Sequence, residues 1–387
     1  MKQNKTRKCE PLHFRRFANK SYSAFTSIGK EVNISVLLVG MLTFAIPAKV
    51  SAQERDNARE REYEMDEVEV TASRAPLTIS QSARIVTVLD RKTITEAPVQ
   101  SVNDLLKYAV GVDVRQRGVQ GMQTDISLRG STYDQITILL NGVNICDPQT
   151  GHNVDFPVDL NDIERIEILE GPAARIYGTS SLLGAINIVT KTESKNFFDI
   201  NASTGSYGNI KGGGRVNIAS GKIINNISAN YNRSDGYLRN SEGRLNTDFN
   251  GAKLLYQGQF SNKNADVSWM AGYSNKNYGS NTFYSAKFDN QFEHARKYYA
   301  SAQATTKGKI QFKPAVYWTR GEDRFELIRG NEDAVPFNYH STDVFGMNTN
   351  AYFNSILGKT ALGADISSED IKSTVLGEPL VEPLDIP

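Results

Sequence analysis

The chain shows three successive patterns of apolar and polar positions, and each pattern predicts a different kind of element. A single long apolar run, Ile34 to Ile46, lies near the N-terminus. Residues 75–191 then combine short apolar alternations with turn residues, whereas residues 192–387 alternate strictly in segments of about ten residues. The patterns therefore predict a leader, then a domain of helices and strands, and then a long antiparallel strand region.

The apolar run has the layout of a secretory signal peptide. Its length of about 13 residues is too short to span a bilayer. Basic residues precede it, and the small-residue pattern Val50-Ser51-Ala52 follows it. We expect residues 1–52 to be a signal peptide with an N-terminal extension, cleaved after Ala52. A buried core helix is the alternative, but the tract that follows is polar and charged.

Composition and motifs exclude several classes of protein. The 387 residues carry a formal net charge of +1, which gives no sign of a nucleic-acid binder that depends on charge. Cleavage would remove Cys9 and leave only Cys146, so the mature chain would have no internal disulfide. The run Gly178 to Ser181 lacks the second glycine of a nucleophile elbow, and no P-loop lysine follows a glycine cradle. We predict that the protein is not an enzyme and expect no cofactor.

Residues 162–191 predict a strand, a helical turn and a second strand. Ile166 and Ile168 alternate with Arg165 and Glu167, which is the period of a half-buried strand. This strand ends at Gly171-Pro172. A short helix is predicted from Ala173 to Ile176 and ends at Gly178. The second strand is predicted at Ala185 to Thr190.

The order of these residues, IERIEILEGPAARIYGTSSLLGAINIVTK, resembles the end of the plug domain of TonB-dependent outer-membrane receptors. It departs from the family's usual sequence motif at Glu170, where a basic residue is more common, and at Ala174-Arg175-Ile176. Upstream, LLKYAVGVDV, DISLRG and ILLNGV are also similar to plug motifs, with Val110 where a proline is usual. The resemblance covers residues 75–191 and implies an α+β plug domain.

Local signals within this region place its elements. Ser101 is a helix cap before an apolar face that predicts a helix near residues 101–108. Asn141-Gly142 is the tightest turn signal in the chain. Strands are predicted at Ala83 to Leu89, from Gly111, at Asp125 to Arg129 and at Gln135 to Leu140.

Residues 53–74 predict a flexible tether that carries a short extended segment. Val68 and Val70 alternate with Glu67 and Glu69, and both backbone edges of such an isolated segment are open to strand addition by a partner. The segment resembles the TonB box, which implies the periplasmic C-terminal domain of TonB as a partner. A first plug strand is the alternative. The box residues are Asp66, Glu67, Val68, Glu69, Val70, Thr71 and Ala72.

Two polar, irregular stretches lie inside the predicted plug, at residues 115–124 and 143–155. In the family, loops at these positions are plug apices that face outward and touch the substrate. Each candidate can equally be a solvated loop residue, and an Asp147 and His152 pair is too small a ligand set to predict a metal site. The candidates are Gln116, Arg117, Gln120, Gln123, Asn144, Asp147, Gln149, His152 and Asn153.

Residues 192–387 predict the N-terminal part of an antiparallel transmembrane β-barrel. Segments such as FDINASTG, GGRVNIAS and NNISANYN alternate, and aromatic residues lie near the segment ends. A soluble β-sandwich would also alternate. Short turns alternate with long polar loops along this region, and this asymmetry favours the barrel. The long loops are expected at residues 234–248, 276–294 and 321–343.

The length after Lys191 suggests an incomplete barrel. At roughly 20 residues per strand and connection, it suffices for about nine or ten strands, whereas members of the family close about 22. The final residues, GEPLVEPLDIP, look like the start of an extracellular loop. We therefore expect this chain to be a truncated receptor.

The resemblance implies active, TonB-dependent import of a scarce nutrient, cobalamin or a ferric chelate, across the bacterial outer membrane, with outer-membrane lipid around the barrel. A passive porin or an adhesin is the alternative class, but neither has a use for a TonB box. A glycan importer is a further alternative. Glycan importers usually carry an extra N-terminal domain, and the dozen or so residues between leader and box cannot fold into one.

Overall fold

The computed structural model describes most of the chain from residue 86 onward, and all described residues belong to one unit, Met65–Pro387. The predicted leader, the predicted helical turn at residues 173–176 and parts of both predicted apices lie outside the described residues. No helix within the described part is long and apolar enough to cross a membrane. The described residues are 69–70, 77–78, 86–116, 124–132, 135–149, 156–171, 181, 183–356, 358–375 and 377–379.

The described residues before Lys191 form short strands, two short α-helices and one turn of 3-10 helix, Leu160–Asp162. The helices are α1 (Arg91–Glu96) and α2 (Val102–Leu106). The strands are β1 (Glu69–Val70), β2 (Leu77–Thr78), β3 (Val86–Leu89), β4 (Val112–Gln116), β5 (Thr124–Leu128), β6 (Ile136–Leu140), β7 (Val143–Asn144), β8 (Ile163–Glu170) and β9 (Gly184–Thr190).

A mixed sheet in the order β3-β8-β9-β6-β7 forms the centre of this part. The β6 and β9 strands run parallel, and the other neighbours are antiparallel. Asn141 and Gly142 both have positive φ, 51° and 82°, which suits the two-residue turn between β6 and β7. Leu105 and Leu106 of α2 are fully buried in the core that this sheet shares with the helices.

Side chains cap both helices at their N-termini. The amide of Thr93 donates to the carboxylate of Asp90 at 2.8 Å, and the amide of Asp104 donates to the hydroxyl of Ser101 at 3.1 Å. The Ser101 cap and the helix after it are as predicted from the sequence. The α1 helix was not predicted, because its six residues bury only Ile94 and show no apolar period.

The prediction that β8 is half-buried was wrong. Ile166 and Ile168 on one face and Glu167 on the other are all 0% exposed. Glu167 accepts hydrogen bonds from Asn187 at 3.0 Å and from Arg165 at 2.9 Å, so its carboxylate is satisfied although it is buried. Both faces of the strand are therefore buried at these positions.

After Lys191 the chain forms one sheet in which consecutive strands are antiparallel neighbours. Its strands are β10 (Phe197–Gly205), β11 (Asn209–Ser220), β12 (Ile223–Ser234), β13 (Phe249–Ser261), β14 (Ala265–Asn281), β15 (Gln291–Thr306), β16 (Ile310–Glu326), β17 (Asn338–Ser355), β18 (Gly358–Val375) and the short β19 (Glu378–Pro379). This confirms the prediction of a plug-like α+β part followed by about nine or ten antiparallel strands.

The two faces of this sheet differ in chemistry. The inner face contacts the first part of the chain, as Leu255 and Met270 do in the shared core. The outer face exposes apolar side chains such as Ile227 and Leu254. It also carries a row of aromatic rings on four consecutive strands, with centroids 5.2 to 6.5 Å apart, formed by Tyr273, Tyr298, Trp318 and Phe345. Such a row is typical of an interfacial aromatic girdle.

The first predicted long loop, between Ser234 and Phe249, is as expected. The other two are shorter than predicted, because the strands continue into them. β14 extends to Asn281 and β15 begins at Gln291, and β16 extends to Glu326 before β17 begins at Asn338. These strands have 16 to 18 residues, more than the 9–11 residues or so that cross the hydrocarbon layer. Beyond that layer polar side chains can occupy both faces while the backbone ladder continues, so the hydropathy pattern ends before the strand does.

Candidate functional site

The second apex loop, after β7, lies against the inner face of the barrel sheet. The Lys297 ammonium donates to the carbonyl oxygen of Ile145 at 2.8 Å. The hydroxyl of Thr342 donates to a carboxylate oxygen of Asp147 at 3.3 Å. These contacts place the loop beside β15, β16 and β17, and near the ends of β16 and β17 that are joined by a long loop.

Asp147 approaches the wall closely because a glycine faces it. A Cβ atom added to Gly321 would lie 2.5 Å from the Asp147 carboxylate, so a larger residue there would displace the loop. Asp323 and His340 of the wall interact electrostatically with Asp147. At this end of the inner face of the sheet, carboxylate, hydroxyl and imidazole groups are therefore available to a polar solute.

Asn144 and Gln149 stabilise the apex loop itself. The Asn144 side-chain oxygen accepts from the amide of Cys146 at 2.9 Å, and the amide of Gln149 donates to Asp147 at 3.1 Å. Both contacts close local turns. Burial raises the pKa of the Cys146 thiol, which keeps it protonated and unreactive.

The first apex is represented by Gln116, at the end of β4. Its side-chain oxygen accepts from the Lys107 ammonium at 3.0 Å. Gln116 lines a cavity of about 100 Å³ between the plug and the wall strands β11 to β14. It therefore faces a different part of the wall from Asp147. The other apex candidates lie outside the described residues; they are Arg117, Gln120, Gln123, His152 and Asn153.

Several wall residues that hold the plug were not predicted. The Lys211 ammonium lies 2.9 Å from the Asp159 carboxylate, and the Lys253 ammonium donates to the carbonyl oxygen of Val158 at 3.1 Å. Gln257 accepts from the Thr190 hydroxyl at 2.7 Å. Each wall residue is a polar position in an alternating strand, but only the register shows which of these positions face the plug.

The predicted TonB box lies mostly outside the described residues, apart from Glu69 and Val70. These two residues form β1, which pairs antiparallel with β2; Glu69 is opposite Thr78 and Val70 is opposite Leu77. The segment is therefore extended, and β2 occupies one of its two backbone edges. No group of three or more His, Cys, Asp or Glu side chains in the described part could hold a metal ion.

Residues 78–185 match the family model of the TonB-dependent receptor plug domain. The matched part of the chain is a plug domain of the TonB-dependent receptor family. Receptors of this family are β-barrel proteins of the bacterial outer membrane, which is the location of this receptor.

Curated relatives are similar to this receptor over part of their length. The vitamin B12 transporter BtuB of Vibrio vulnificus (strain CMCP6) is 27% identical over 246 residues, which are 60% of this chain and 40% of the relative. The BtuB of Vibrio cholerae serotype O1 (strain ATCC 39541 / Classical Ogawa 395 / O395) is 32% identical over 129 residues, 33% of this chain and 21% of the relative. The chain thus spans less than half the length of these relatives.

A solved structure has the same fold. The unliganded ferric citrate transporter FecA superposes with a TM-score of 0.63 at 15% sequence identity, over 80% of this chain and 51% of FecA. At 15% sequence identity this similarity supports a shared fold alone.

Proposed function

We propose that this receptor actively imports a scarce nutrient, cobalamin or a ferric chelate, across the outer membrane with energy delivered through TonB. The observation that carries the proposal is the extended strand β1 (Glu69–Val70), which lies in the segment that resembles a TonB box, just before the plug. A passive porin or adhesin has no use for such a segment. Catalysis has no part in this function.

In this mechanism the substrate binds first, between the plug apices and the wall. Asp147 and Gln116 are the described apex residues whose side chains face the wall or a cavity beside it. The C-terminal domain of TonB then adds a strand to the box through main-chain hydrogen bonds. Because β2 pairs with β1 over two residues in the described part of the chain, TonB can use the other edge of β1 or displace β2.

The plug must then move against the polar contacts that hold it to the wall. The Lys211–Asp159 ion pair and the Gln257–Thr190 hydrogen bond are two such contacts. Each is worth only about 1 kcal/mol or somewhat more, so a pulling force can break them one after another. The plug can therefore be stable at rest and still open a path under load.

The cargo classes agree with what the relatives are named for, vitamin B12 in one case and ferric citrate in the other. The test is accumulation of labelled cobalamin or a labelled ferric chelate in cells that express the whole receptor, with and without TonB. We expect accumulation of one cargo that stops when TonB is absent. Equal accumulation without TonB would indicate a porin, and surface binding of both cargoes without accumulation would indicate an adhesin.

A second experiment tests the apices. We expect the combined alanine variant of Gln116, Arg117, Asn144 and Asp147 to bind the cargo more weakly, by about tenfold for each hydrogen bond to a charged group that is lost. Its level in the outer membrane, measured in the same cells, is the control for assembly. Unchanged affinity at an unchanged level would show that the cargo binds elsewhere.

A further inference from the structure

Three long loops lie at the same end of the barrel sheet. They follow β12, β14 and β16, and alternate connections of an antiparallel sheet share one end. Their residues are 235–248, 282–290 and 327–337, and we call the three together the loop block. Because the loops are distant in sequence, only the contacts between them decide whether they move separately or as one unit.

Arg329 joins the third loop of the block to the first. Its guanidinium donates to both carboxylate oxygens of Asp248, at 2.6 and 2.9 Å, and to the side-chain oxygen of Asn246 at 3.3 Å. A guanidinium that reaches both oxygens of a carboxylate fixes the orientation of its partner as well as its distance. The side chains of Arg329 and Asp248 are 33% and 30% exposed, so solvent screens this ion pair only in part.

Arg329 also contacts the second loop and the strand that follows it. Its backbone amide donates to the carbonyl oxygen of Asn290 at 2.8 Å. Its guanidinium carbon lies 4.3 Å from the ring centroid of Phe292, in β15, which is a cation–π distance. One residue of the third loop therefore contacts both of the other loops.

The first and second loops are also bonded to each other directly. The side-chain amide of Asn246 donates to the carbonyl oxygens of Asp289 and Gln291, at 3.2 and 3.0 Å. The backbone amide of Ser241 donates to the carboxylate of Asp289 at 2.5 Å. Asn246 is 1% exposed, so water reaches these bonds only when the loops separate.

Buried side chains give the first two loops an internal structure of their own. The hydroxyl of Thr247 accepts from the backbone amides of Tyr237 and Leu238, at 3.2 and 3.1 Å. The side-chain nitrogen of Gln291 donates to the carbonyl oxygen of Phe288 at 2.7 Å. Each of these loops is therefore compact, and Arg329 adds the third loop to them.

We propose that Arg329 joins the three loops into one rigid unit, which is formed before any solute arrives and opens cooperatively. This goes beyond the proposed import function, because it concerns the receptor without cargo. Loss of the guanidinium would leave the third loop without its side-chain bonds to the first loop, and Asn246 with one partner fewer. Loops that are already ordered spare a solute that binds beside them the entropic cost of ordering.

The test is backbone hydrogen exchange of the purified whole receptor without cargo. The Ser241 amide is the probe, because its acceptor Asp289 lies on the second loop and the substitution is on the third. We expect exchange at Ser241 to be about tenfold faster in the Arg329→Gln variant, since a bidentate, charge-assisted contact is lost and the block opens as one unit. Arg329→Lys keeps the charge without the bidentate geometry, so its acceleration should be smaller.

The Lys287→Gln variant is the matched control. It removes the same charge from an exposed position of the second loop, where the ammonium lies 5.7 Å from the ring of Phe288 in the same loop. Exchange at Ser241 should stay at the parent's rate in this variant, and unchanged exchange in β11 checks that each variant has assembled. The proposal is overturned if Ser241 exchanges equally fast in the Arg329→Gln variant and the parent, or if Lys287→Gln accelerates exchange as much as Arg329→Gln.

Discussion

Gln257 holds the end of the plug to the barrel wall, and its replacement should loosen that attachment. Its side-chain oxygen accepts from the Thr190 hydroxyl at 2.7 Å, and its side-chain nitrogen donates to the carbonyl oxygen of Lys191 at 2.5 Å. Gln257 is 4% exposed, so water does not replace these partners in the closed state. We expect Gln257→Leu to remove both hydrogen bonds while nearly preserving the volume of the side chain.

The expected loss of stability at this attachment follows from these two hydrogen bonds. The Thr190 hydroxyl keeps Asn141 as a partner at 3.3 Å. Removal of its hydrogen bond to Gln257 should therefore cost close to the net value of one hydrogen bond, about 1 kcal/mol. The Lys191 carbonyl loses a buried donor, which costs about 1–3 kcal/mol. The sum is about 2–4 kcal/mol, or roughly a 30- to 1000-fold increase in the population that opens at this point.

Hydrogen exchange of the backbone amides of β9 in the whole receptor measures this opening. Exchange at Thr190 and Lys191 should accelerate by the factor given above. Gln259→Leu is the matched control, because Gln259 lies on the same face of the same strand and is only half-buried. Equal exchange rates in the Gln257→Leu variant and the parent would refute the view that this contact anchors the plug.

Two further predictions concern the plug core. Burial raises the pKa of Asp162 above its ordinary value of 3.8, so its contribution to stability is present at acid pH and is lost as the pH rises through the folded-state pKa. Asp162→Asn should therefore raise the unfolding temperature at pH 7 and not at acid pH; an equal rise at both would contradict this. A Cβ at Gly184 would lie 2.4 Å from the backbone oxygen of Leu169. Gly184→Ala should cost about 1–3 kcal/mol in chemical unfolding, whereas Gly212→Ala, which has room for a Cβ, should not.

Elements whose own residues determine their structure were predictable from the sequence. The Ser101 cap and the Asn141-Gly142 turn act through bonds to their immediate neighbours, so their signals are local. The strands after Lys191 were predictable because one face meets lipid and the other meets the plug, which enforces strict alternation.

Features that depend on what covers an element were not predictable in the same way. Glu167 alternates with apolar residues like a solvent-facing position, but its side chain is buried. Lys211 and Lys253 come from two different strands, and only the register places both side chains beside the plug. The sequence gives no local signal for either arrangement.

Replacement of Val70 by proline, with cargo binding and cargo uptake measured in the same cells, tests the central claim most directly. Proline removes a backbone donor from β1 and restricts the residue before it, which prevents strand addition by TonB and leaves the apices untouched. Val70→Ile keeps the backbone donor and is the control. We predict that Val70→Pro abolishes uptake and leaves binding at the cell surface unchanged, whereas Val70→Ile preserves both. Uptake at the parent's rate in the Val70→Pro variant would contradict the assignment of this segment as the site where TonB delivers energy.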